Sequence, residues 1–496
     1  MSDLAARPSP YPPATPHPQV NPQAPANPYP PVQNHYPPTP LPRLTRPQGG
    51  GPMIDPESVV LPPQIPFMRR IWKSRWLMHY NRLLALTLLI NLAVAIYALG
   101  SGNWFTSDGV ALGAVAKASL INLTVAIGFR QQYVVNLLFR IATSVPTSWP
   151  LKIRWTAGKV YHFGGIHVAG AVAGTAWFIV LLGSIVYHQA NNLGSISRPL
   201  AVVSAMLVML LVLMIVFSLP RFRAKYHDNF ELMHRFGGWS ALGLFWIHTV
   251  LLSASLRETG TSVIGAVVSS LAFWLLIAVT ISIVLPWLRL KKVPVRISRP
   301  SNHVALVEFD HVTPFAGSST TVSRNPLMEW HAFANVPSPA QEGFRLTISR
   351  AGDWTAKFID EAPSHVWVKG IPTAGVGNVD QLFKRVVWVC TGSGIGPTLP
   401  HLLAKTAPAK LIWATRNPRK TYGDALIEEI LEAQPDALLW DTDAHGKPDM
   451  VKLAYQAVKD FDAEAVITIS NKKLTWQVVE GMERIGIPAY GAIWDS

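Results

Sequence analysis

Six long apolar runs occupy the middle of the chain, between residues 83 and 287. Each is roughly 20 residues long, which is the length a helix needs to cross the hydrocarbon core of a bilayer. The second run contains Lys117, whose side chain would have to extend towards the membrane surface. The runs are 83–100, 110–129, 163–187, 199–219, 236–256 and 263–287. Together they predict a six-helix transmembrane domain over residues 67–290.

The pattern changes after Leu290 to that of water-soluble domains. Residues 291–378 contain stretches in which apolar and polar positions alternate, such as VPVRIS and FRLTIS, and this period of two predicts a small antiparallel β-barrel. Residues 379–496 alternate apolar strands with helical segments, which predicts a doubly wound parallel sheet. The predicted fold is therefore an α-helical membrane bundle followed by a β-barrel domain and an α/β domain.

Lysine and arginine residues are distributed unevenly around the apolar runs. They cluster before the first run, in the second and fourth connections and after the last run, whereas the other connections carry little beyond Arg198 and Arg257. By the positive-inside rule this bias predicts a multi-pass protein with both termini in the cytosol, in agreement with an even number of spans. Because these flanking residues account for most of the net charge of +14, we expect the lipid bilayer, and not nucleic acid, as a partner.

The N-terminal segment, residues 1–66, holds about half of the 41 prolines. Such a composition favours a disordered cytosolic tail with polyproline II character, either as a plain tail or as a ligand for SH3 or WW domains. The chain contains a single cysteine, Cys390, which excludes an internal disulfide and cysteine-ligated metal clusters.

A glycine-rich segment follows the predicted strand KRVVWVC and opens a predicted helix. Glycines in this position allow a tight turn and let backbone amides approach a pyrophosphate, whose charge is favoured at a helix N-terminus. The order of strand, glycines, proline and helix predicts a dinucleotide site, although a simple strand–helix connection can have the same pattern. Its candidate residues are Thr391, Gly392, Ser393, Gly394, Gly396, Pro397 and Thr398.

Arg416 follows the next predicted strand, LIWAT, with Arg419 and Lys420 close behind it. Cations at this point could hold the 2′-phosphate of NADPH and so favour it over NADH. The alternative is that these residues belong to a solvated loop.

The order of six spans, barrel and GSGIGPTLP turn resembles the ferric reductase and NADPH oxidase superfamily, and is most similar to the fungal TmpA-type integral membrane oxidoreductases. The resemblance covers about residues 80–496. It implies a ferredoxin-reductase-like module that binds FAD and NADPH or NADH. A segment similar to the family's GDWT motif implies flavin binding by Arg350, Gly352, Asp353, Trp354 and Thr355, and a segment similar to its HPFT motif implies the same for His331 and Phe333.

The chain departs from this family pattern at several positions. Ala332 and Ala334 replace the proline and threonine of HPFT, so the hydroxyl group that would bind the flavin is absent. The CGP motif near the C-terminus is replaced by Ile469-Ser-Asn471. Family members often stack a terminal aromatic residue on the flavin ring. The resemblance therefore implies a catalytic position for Trp494, unless this side chain packs against the sheet.

Histidines in the predicted spans are candidate haem ligands, because the family carries electrons through histidine pairs on its third and fifth spans. His234 and His248 are 14 residues apart on the fifth span, which places them on one helix face about 21 Å apart. On the third span His162 and His167 lie near the cytosolic end. No histidine stands 14 residues after either of them, so this span offers no second ligand at the depth of His248. We therefore predict one inner haem b at most, held by His234 with His162 or His167.

These features predict an NAD(P)H-dependent membrane flavoprotein oxidoreductase that passes electrons through FAD to a membrane-associated or small lipophilic acceptor. Two alternatives remain. One is haem-dependent electron transfer across the membrane, as in ferric reductases and NADPH oxidases. The other is a degenerate homologue that binds nucleotide as a sensor or scaffold without turnover.

Overall fold

The computed structural model describes residues 56–338 and 342–492. Most of the predicted proline-rich tail and the candidate residue Trp494 lie outside these ranges. Within them, short 3-10 helices occur at Pro56–Ser58, Arg75–Leu77, Gly158–Phe163, Val376–Leu382 and Gly392–Gly394.

The apolar region of the chain forms helices and one short antiparallel hairpin. The hairpin strands, β1 (Phe105–Thr106) and β2 (Gly109–Val110), have two residues each. The helices are α1 (Phe67–Lys73), α2 (His79–Gly100), α3 (Leu112–Gly128), α4 (Gln132–Thr143), α5 (Leu151–Ala157), α6 (Gly164–Ala190), α7 (Arg198–Ser218), α8 (Pro220–Lys225), α9 (His227–Leu256), α10 (Val263–Ser269) and α11 (Leu271–Leu288). Their core contains large apolar side chains from several helices, including Leu112, Phe178, Leu207 and Leu252.

Five helical segments in the described part of the chain are long and apolar enough to cross a membrane. They are His79–Gly100, Leu151–Ala190, Arg198–Ser218, His227–Leu256 and Leu271–Leu288. A sixth is added if α3 and α4, which bend by 70° at a short break, form one span. The predicted second span thus corresponds to a helix of only 17 residues, and the predicted sixth span is divided at Ser270 into α10 and α11.

The region after α11 forms two antiparallel sheets around one apolar core, which confirms the antiparallel β-domain predicted from the alternating pattern. One sheet has the order β11-β6-β10-β3 with β7 paired to β6, and the other has the order β4-β5-β9-β8. The strands are β3 (Leu290–Pro294), β4 (Arg296–Ser298), β5 (Val304–Phe309), β6 (Ser318–Ser323), β7 (His331–Ala334), β8 (Val336–Pro337), β9 (Phe344–Ser349), β10 (His365–Lys369) and β11 (Thr373–Ala374), and the helix α12 (Asp353–Glu361) lies between β9 and β10.

The C-terminal region forms a five-stranded parallel sheet with the order β14-β13-β12-β15-β16, which confirms the predicted doubly wound domain. Its strands are β12 (Val386–Thr391), β13 (Ala409–Thr415), β14 (Leu438–Asp441), β15 (Ala465–Ile469) and β16 (Ala489–Gly491). Its helices are α13 (Ile395–Ala404), α14 (Pro418–Tyr422), α15 (Asp424–Ala433), α16 (Thr442–His445), α17 (Met450–Phe461) and α18 (Lys472–Arg484). The strand order reverses between β12 and β15, and in such sheets ligands bind in a crevice at the carboxyl ends of the strands beside this reversal.

Polar contacts join the helical bundle to the two C-terminal domains. The Asn136 side chain on α4 donates to the Pro372 carbonyl (2.9 Å) and accepts from the Ala374 amide (2.8 Å) of the barrel. On the side of the sheet, Lys159 forms a buried ion pair with Glu483 of α18 and donates to the Ala489 carbonyl at 2.7 Å. The apolar face of α4, with Val135 and Phe139, packs into the core of the α/β domain.

Candidate functional site

The glycine-rich turn lies at the carboxyl end of the central strand β12, between its neighbours β13 and β15. A side chain at Gly394 would collide with the Ile469 carbonyl group, whose carbon lies 3.0 Å from the position of an added Cβ. Gly392 has a φ of +49°, in the left-handed region, and its carbonyl accepts a hydrogen bond from the Trp413 indole at 2.9 Å. The turn therefore lies in close contact with the end of β15, and the other side of the turn faces away from that strand.

The outer side of this turn remains accessible. Ser393 is exposed, while Thr391 forms a hydroxyl–hydroxyl hydrogen bond with Ser470 across the crevice. Thr398 is buried and donates to the Gly394 carbonyl (2.9 Å), and Pro397 is half-buried in the first turn of α13. The Thr391 and Ser470 hydroxyls and the helix N-terminus are groups that suit a pyrophosphate, so the residues present fit a dinucleotide.

The start of α13 faces the barrel domain. An added Cβ at Gly396 would lie 3.4 Å from the Thr347 Cβ of β9. A nucleotide on this turn would therefore lie at the boundary between the parallel sheet and the barrel.

Ser470 and Asn471, which stand where the family has part of its CGP motif, both have structural roles in this chain. Ser470 partners Thr391, and Asn471 caps α18 by accepting from the Leu474 amide at 3.1 Å. Cys390, below the turn, is fully buried, and burial raises the pKa of its thiol well above the usual range. This thiol therefore stays protonated and serves as a small core side chain.

Arg416 follows β13 directly and is exposed beside the crevice. It forms no ion pair with the described residues, whereas Arg419 is paired with Asp424 (2.9 Å) and Glu428 (2.7 Å). Of the two arginines at the end of this strand, Arg416 is thus the one with its charge available to an anionic ligand.

Three aromatic side chains on the barrel form a stack at the predicted flavin position. The Trp354 ring lies 4.0 Å from the His331 ring and 6.0 Å from the Phe333 ring, measured between centroids, and the Phe358 ring stacks on Trp354 at 5.0 Å. The indole nitrogen of Trp354 is buried and has no hydrogen-bond partner among the described residues. A group of aromatic rings of this kind can pack against a planar ligand such as a flavin.

The segment before α12 is held in place by Thr355, whose hydroxyl accepts from the amides of Ala351 (2.9 Å) and Gly352 (3.0 Å). This arrangement leaves open space beside Gly352, where an added Cβ would meet no atom within 4 Å. The helix N-terminus there suits a diphosphate, although the carboxylate of Asp353 in its first turn is unfavourable for an anion.

The structure gives Arg350 a different role from the one implied by the family resemblance. Its guanidinium forms a two-pronged ion pair with Asp360, and its Nε donates to the Asn302 carbonyl at 2.9 Å. Because these bonds use the donors that would bind a phosphate, Arg350 positions the α12 segment in this structure.

The histidine candidates in the helical bundle fall into separate groups. The His162 ring contacts the Tyr161 ring (4.2 Å between centroids) and stacks on the His79 ring (6.0 Å). His79 is not among the histidines that the sequence predicts as haem ligands. The Nδ1 of His167 donates to the Ala126 carbonyl (2.8 Å), and this histidine lies within electrostatic range of His234. Of the two candidate partners for His234, the structure therefore brings His167 close.

His248 lies farther along α9, with its ring centroid 5.1 Å from that of Phe178. It is 3% exposed, and its Nε2 has no partner among the described residues. His188, at the far end of α6, accepts from the Val110 amide at 2.8 Å and contacts the Leu193 carbonyl at 3.1 Å. Within residues 56–338 and 342–492 no group of three or more His, Cys, Asp or Glu side chains could hold a metal ion.

These features define a helical bundle joined to a two-domain module with a glycine-rich turn at the end of the central strand of its parallel sheet. Residues 376–496 match the family described as the C-terminal domain of Adenylate-forming reductase 03009. The chain is 43% identical over 417 residues to Adenylate-forming reductase 03009 of Coprinopsis cinerea, and 44% identical over 418 residues to Adenylate-forming reductase 06235 of the same fungus. Each alignment covers 84% of this chain but 40% of the relative, so the chain spans about two fifths of the length of these relatives.

Solved structures with a similar C-terminal region include a ferredoxin NADP+ reductase from Neisseria gonorrhoeae with bound FAD and NADP. It is 13% identical, with a TM-score of 0.32, and the match covers 41% of this chain and 98% of that one. The cytochrome P450 reductase GcoB from Amycolatopsis is 12% identical, with a TM-score of 0.31, and the match covers 41% and 69% of the two chains.

Proposed function

We propose that this chain is an oxidoreductase enzyme that takes a hydride from NADPH or NADH and passes electrons through a flavin to a membrane-associated or small lipophilic acceptor. The observation that carries the proposal is the turn at Gly394, which lies at the switch point of a parallel sheet and faces the barrel. The two relatives carry the name adenylate-forming reductase, which supports the same class of chemistry.

The residues of this chain divide the binding tasks between two domains. Gly392, Gly394 and the start of α13 hold the dinucleotide, and Thr391 with Ser470 lines the crevice. On the barrel, the His331, Phe333 and Trp354 rings hold the flavin. A bound flavin supplies hydride acceptance followed by electron release, while the barrel–sheet boundary orients the two ligands and limits access of water.

A membrane location is the second part of the proposal. The large apolar side chains of α2 point outward, and six leucine and isoleucine side chains are more than half exposed: Leu86, Leu89, Ile90, Leu92, Ile96 and Leu99. A helix with so many exposed apolar groups requires an apolar environment. Together with the basic residues at alternate connections, this arrangement supports a bundle that spans the membrane and keeps the reductase module in the cytosol.

Haem-dependent electron transfer, as in the ferric reductase and NADPH oxidase superfamily, is the second candidate function. The approach of His167 to His234 favours it, because two facing histidines suit one haem. Arg130 and Arg223 lie close enough to His234 to interact with it electrostatically, and such cations suit the propionate groups of a haem. Phe178 stands beside His248, which argues against a second bis-histidine haem.

The absorption spectrum of the purified full-length chain, recorded without oxygen before and after NADPH is added, tests the proposed function. We expect the visible bands of oxidised flavin, and their loss when NADPH is added. In the Trp354→Ala variant, flavin affinity should fall about three- to tenfold, because an aromatic stack is lost. The matched control is Phe315→Ala, an exposed aromatic residue on the same barrel, which should keep its flavin.

The same spectra separate the three candidate functions. A Soret band that disappears in His234→Ala would favour haem-dependent transfer. A colourless protein that reduces no dye with NADPH would contradict the enzyme and leave the scaffold function. Unchanged flavin affinity in Trp354→Ala would show that the flavin position on the barrel is wrong.

The choice between NADPH and NADH should depend on Arg416. Replacing it with serine removes a cation from the crevice, so we expect the KM for NADPH to rise about tenfold or more, with little change for NADH. The measurement is dye reduction with each nucleotide. Lys410→Ser is the matched control, because Lys410 lies near the opposite end of the same strand, about 20 Å away. Equal losses with both nucleotides would contradict a 2′-phosphate contact.

A further inference from the structure

A cavity of about 460 Å³ lies inside the helical bundle, away from the reductase module. It is bounded by α3, α9, α10 and α11, with Phe178 of α6 forming part of its wall. Its volume falls within the range of pockets that hold small organic ligands, roughly 300–1,000 Å³.

The wall and the rim of this cavity differ in character. Phe178 and Leu252 form a buried apolar wall together with the partly buried Phe245. Lys117 and Glu258, both exposed, lie at the rim. This arrangement suits a molecule with an apolar body, whereas a fully polar metabolite would lose its hydration without replacement bonds.

His248 supplies a buried polar group in the cavity wall. Its Nε2 has no hydrogen-bond partner among the described residues, although the side chain is almost completely buried. His188 on the neighbouring span differs, because both of its ring nitrogens contact backbone groups. Since buried polar atoms in proteins are nearly always paired, the unpaired His248 imidazole in the cavity wall is the group that we expect to contact a ligand.

The cavity residues do not suit a haem with two protein ligands. His248 is the single histidine among the lining residues, which include no methionine, cysteine or tyrosine. The ring nearest to it is that of Phe178, which cannot coordinate iron.

The break between α10 and α11 lies in the wall of the cavity. Ser270 has an extended backbone conformation, caps α11 by accepting from the Phe273 amide (3.2 Å), and lines the cavity with Ser269. Val268 and Leu271, on either side of the break, are exposed. In a membrane we expect a lipophilic ligand to enter from the lipid phase at this point.

We propose that this cavity binds a flat lipophilic compound of the quinone and phenol class, with one ring oxygen hydrogen-bonded to His248 and the ring packed beside Phe178 and Phe245. The proposal rests on the membrane location proposed above. It does not depend on the reductase activity, because it concerns binding alone. Arg235 near the start of α9 donates to the Leu327 carbonyl of the barrel domain (2.9 Å), and His248 lies about 20 Å farther along this helix, so the cavity is away from that domain.

Isothermal titration of the full-length chain in lipid nanodiscs with oxidised decylubiquinone, without NADPH, tests the proposal. Empty nanodiscs provide the blank. We expect saturable binding that weakens at least tenfold in Ala116→Phe, because the added ring fills the cavity that Ala116 lines. Val202→Phe is the matched control, because it adds the same ring to an exposed position of α7 and should change affinity less than twofold.

Variants of His248 test the polar contact separately. His248→Phe should weaken binding about tenfold, as expected for a lost buried hydrogen bond, and His248→Gln should recover part of the affinity. Monodisperse protein with normal NADPH-dependent dye reduction would show that each variant is folded.

Three outcomes would overturn the proposal. Absence of saturable binding would do so, as would equal affinities in Ala116→Phe and Val202→Phe. Displacement of the quinone by palmitate at equal concentration would assign the cavity to lipid acyl chains instead. If binding is normal but NADPH reduces no dye, the proposed reductase function fails while this proposal stands.

Discussion

Gly394→Ala is expected to abolish NADPH-dependent dye reduction, with a loss of at least about 100-fold, while the helical bundle stays folded. The added methyl group would collide with the backbone carbonyl of Ile469, and a backbone atom cannot rotate away as a flexible side chain can. Relief of the clash requires separation of the turn from β15, at a typical cost of about 1–3 kcal/mol for overpacking. The dinucleotide turn would then lose its geometry at the point where it must approach a pyrophosphate.

Steady-state rates with NADPH and a dye acceptor are the measurement for this variant. Gly243→Ala is the matched control, since the same methyl group on α9 would meet no atom within 4 Å. Normal rates in Gly394→Ala would show that the nucleotide site has been placed wrongly, whatever the fate of the flavin. A parallel loss in Gly243→Ala would indicate a general sensitivity to substitution.

Glu483→Gln should destabilise the chain by about 3–5 kcal/mol, because it leaves the buried ammonium group of Lys159 without its counter-charge. The Glu483 carboxylate also lies 3.6 Å from the Lys73 Nζ and accepts from the Trp155 indole at 3.2 Å. These groups join α1 and the start of the third span to α18, so the loss should loosen the α/β domain from the bundle. Urea-induced unfolding of the full chain, followed by tryptophan fluorescence, measures the effect.

Glu480→Gln provides the matched control for this variant. Glu480 lies one turn earlier on α18 and forms a surface pair with Arg484 at 2.7 Å, which contributes only about 0.3–0.5 kcal/mol. The double variant Lys159→Met/Glu483→Leu should recover much of the lost stability, since both buried charges are then gone. A change of less than about 1 kcal/mol in Glu483→Gln would contradict the structural importance of the pair.

The pH dependence of stability should follow the ionisation of Glu483. Burial alone raises the pKa of this carboxyl, but the neighbouring Lys159 and Lys73 outweigh burial and hold the pKa below its usual value. The folded state therefore binds a proton less readily than the unfolded state, whose pKa is about 4.3. The contribution to stability is present above that pH and is lost as the pH falls through the folded pKa. Glu483→Gln should lack this part of the acid transition.

Sequence patterns determined which secondary structures form, because hydrophobic periodicity is a local property. The alternating stretches became antiparallel strands, and the alternation of strands and helices after residue 379 became a parallel sheet. The helix bounds were less predictable. The sixth apolar run is interrupted at Ser270, where the side chain caps a new helix, and continuous hydropathy does not reveal such a break.

Motif spacing located the dinucleotide turn but not the reason for its glycines. Gly394 is required by the Ile469 carbonyl, 75 residues later in the chain, and that proximity depends on the pairing of β12 with β15. Arg350 shows the opposite case. Its position beside the GDWT segment implied a phosphate contact, whereas its guanidinium is bonded to Asp360 one helix length away.

The amino-acid sequence by itself therefore determined that a helical region precedes an antiparallel β-domain and a parallel α/β domain, and it located the glycine-rich turn. The tertiary structure decided which histidine approaches His234, which arginine keeps its charge available beside the crevice, and where the bundle contains a cavity. The physical reason is that periodicity and turn geometry depend on neighbouring residues. Partners of buried polar groups are instead chosen by packing between segments that are distant in the chain.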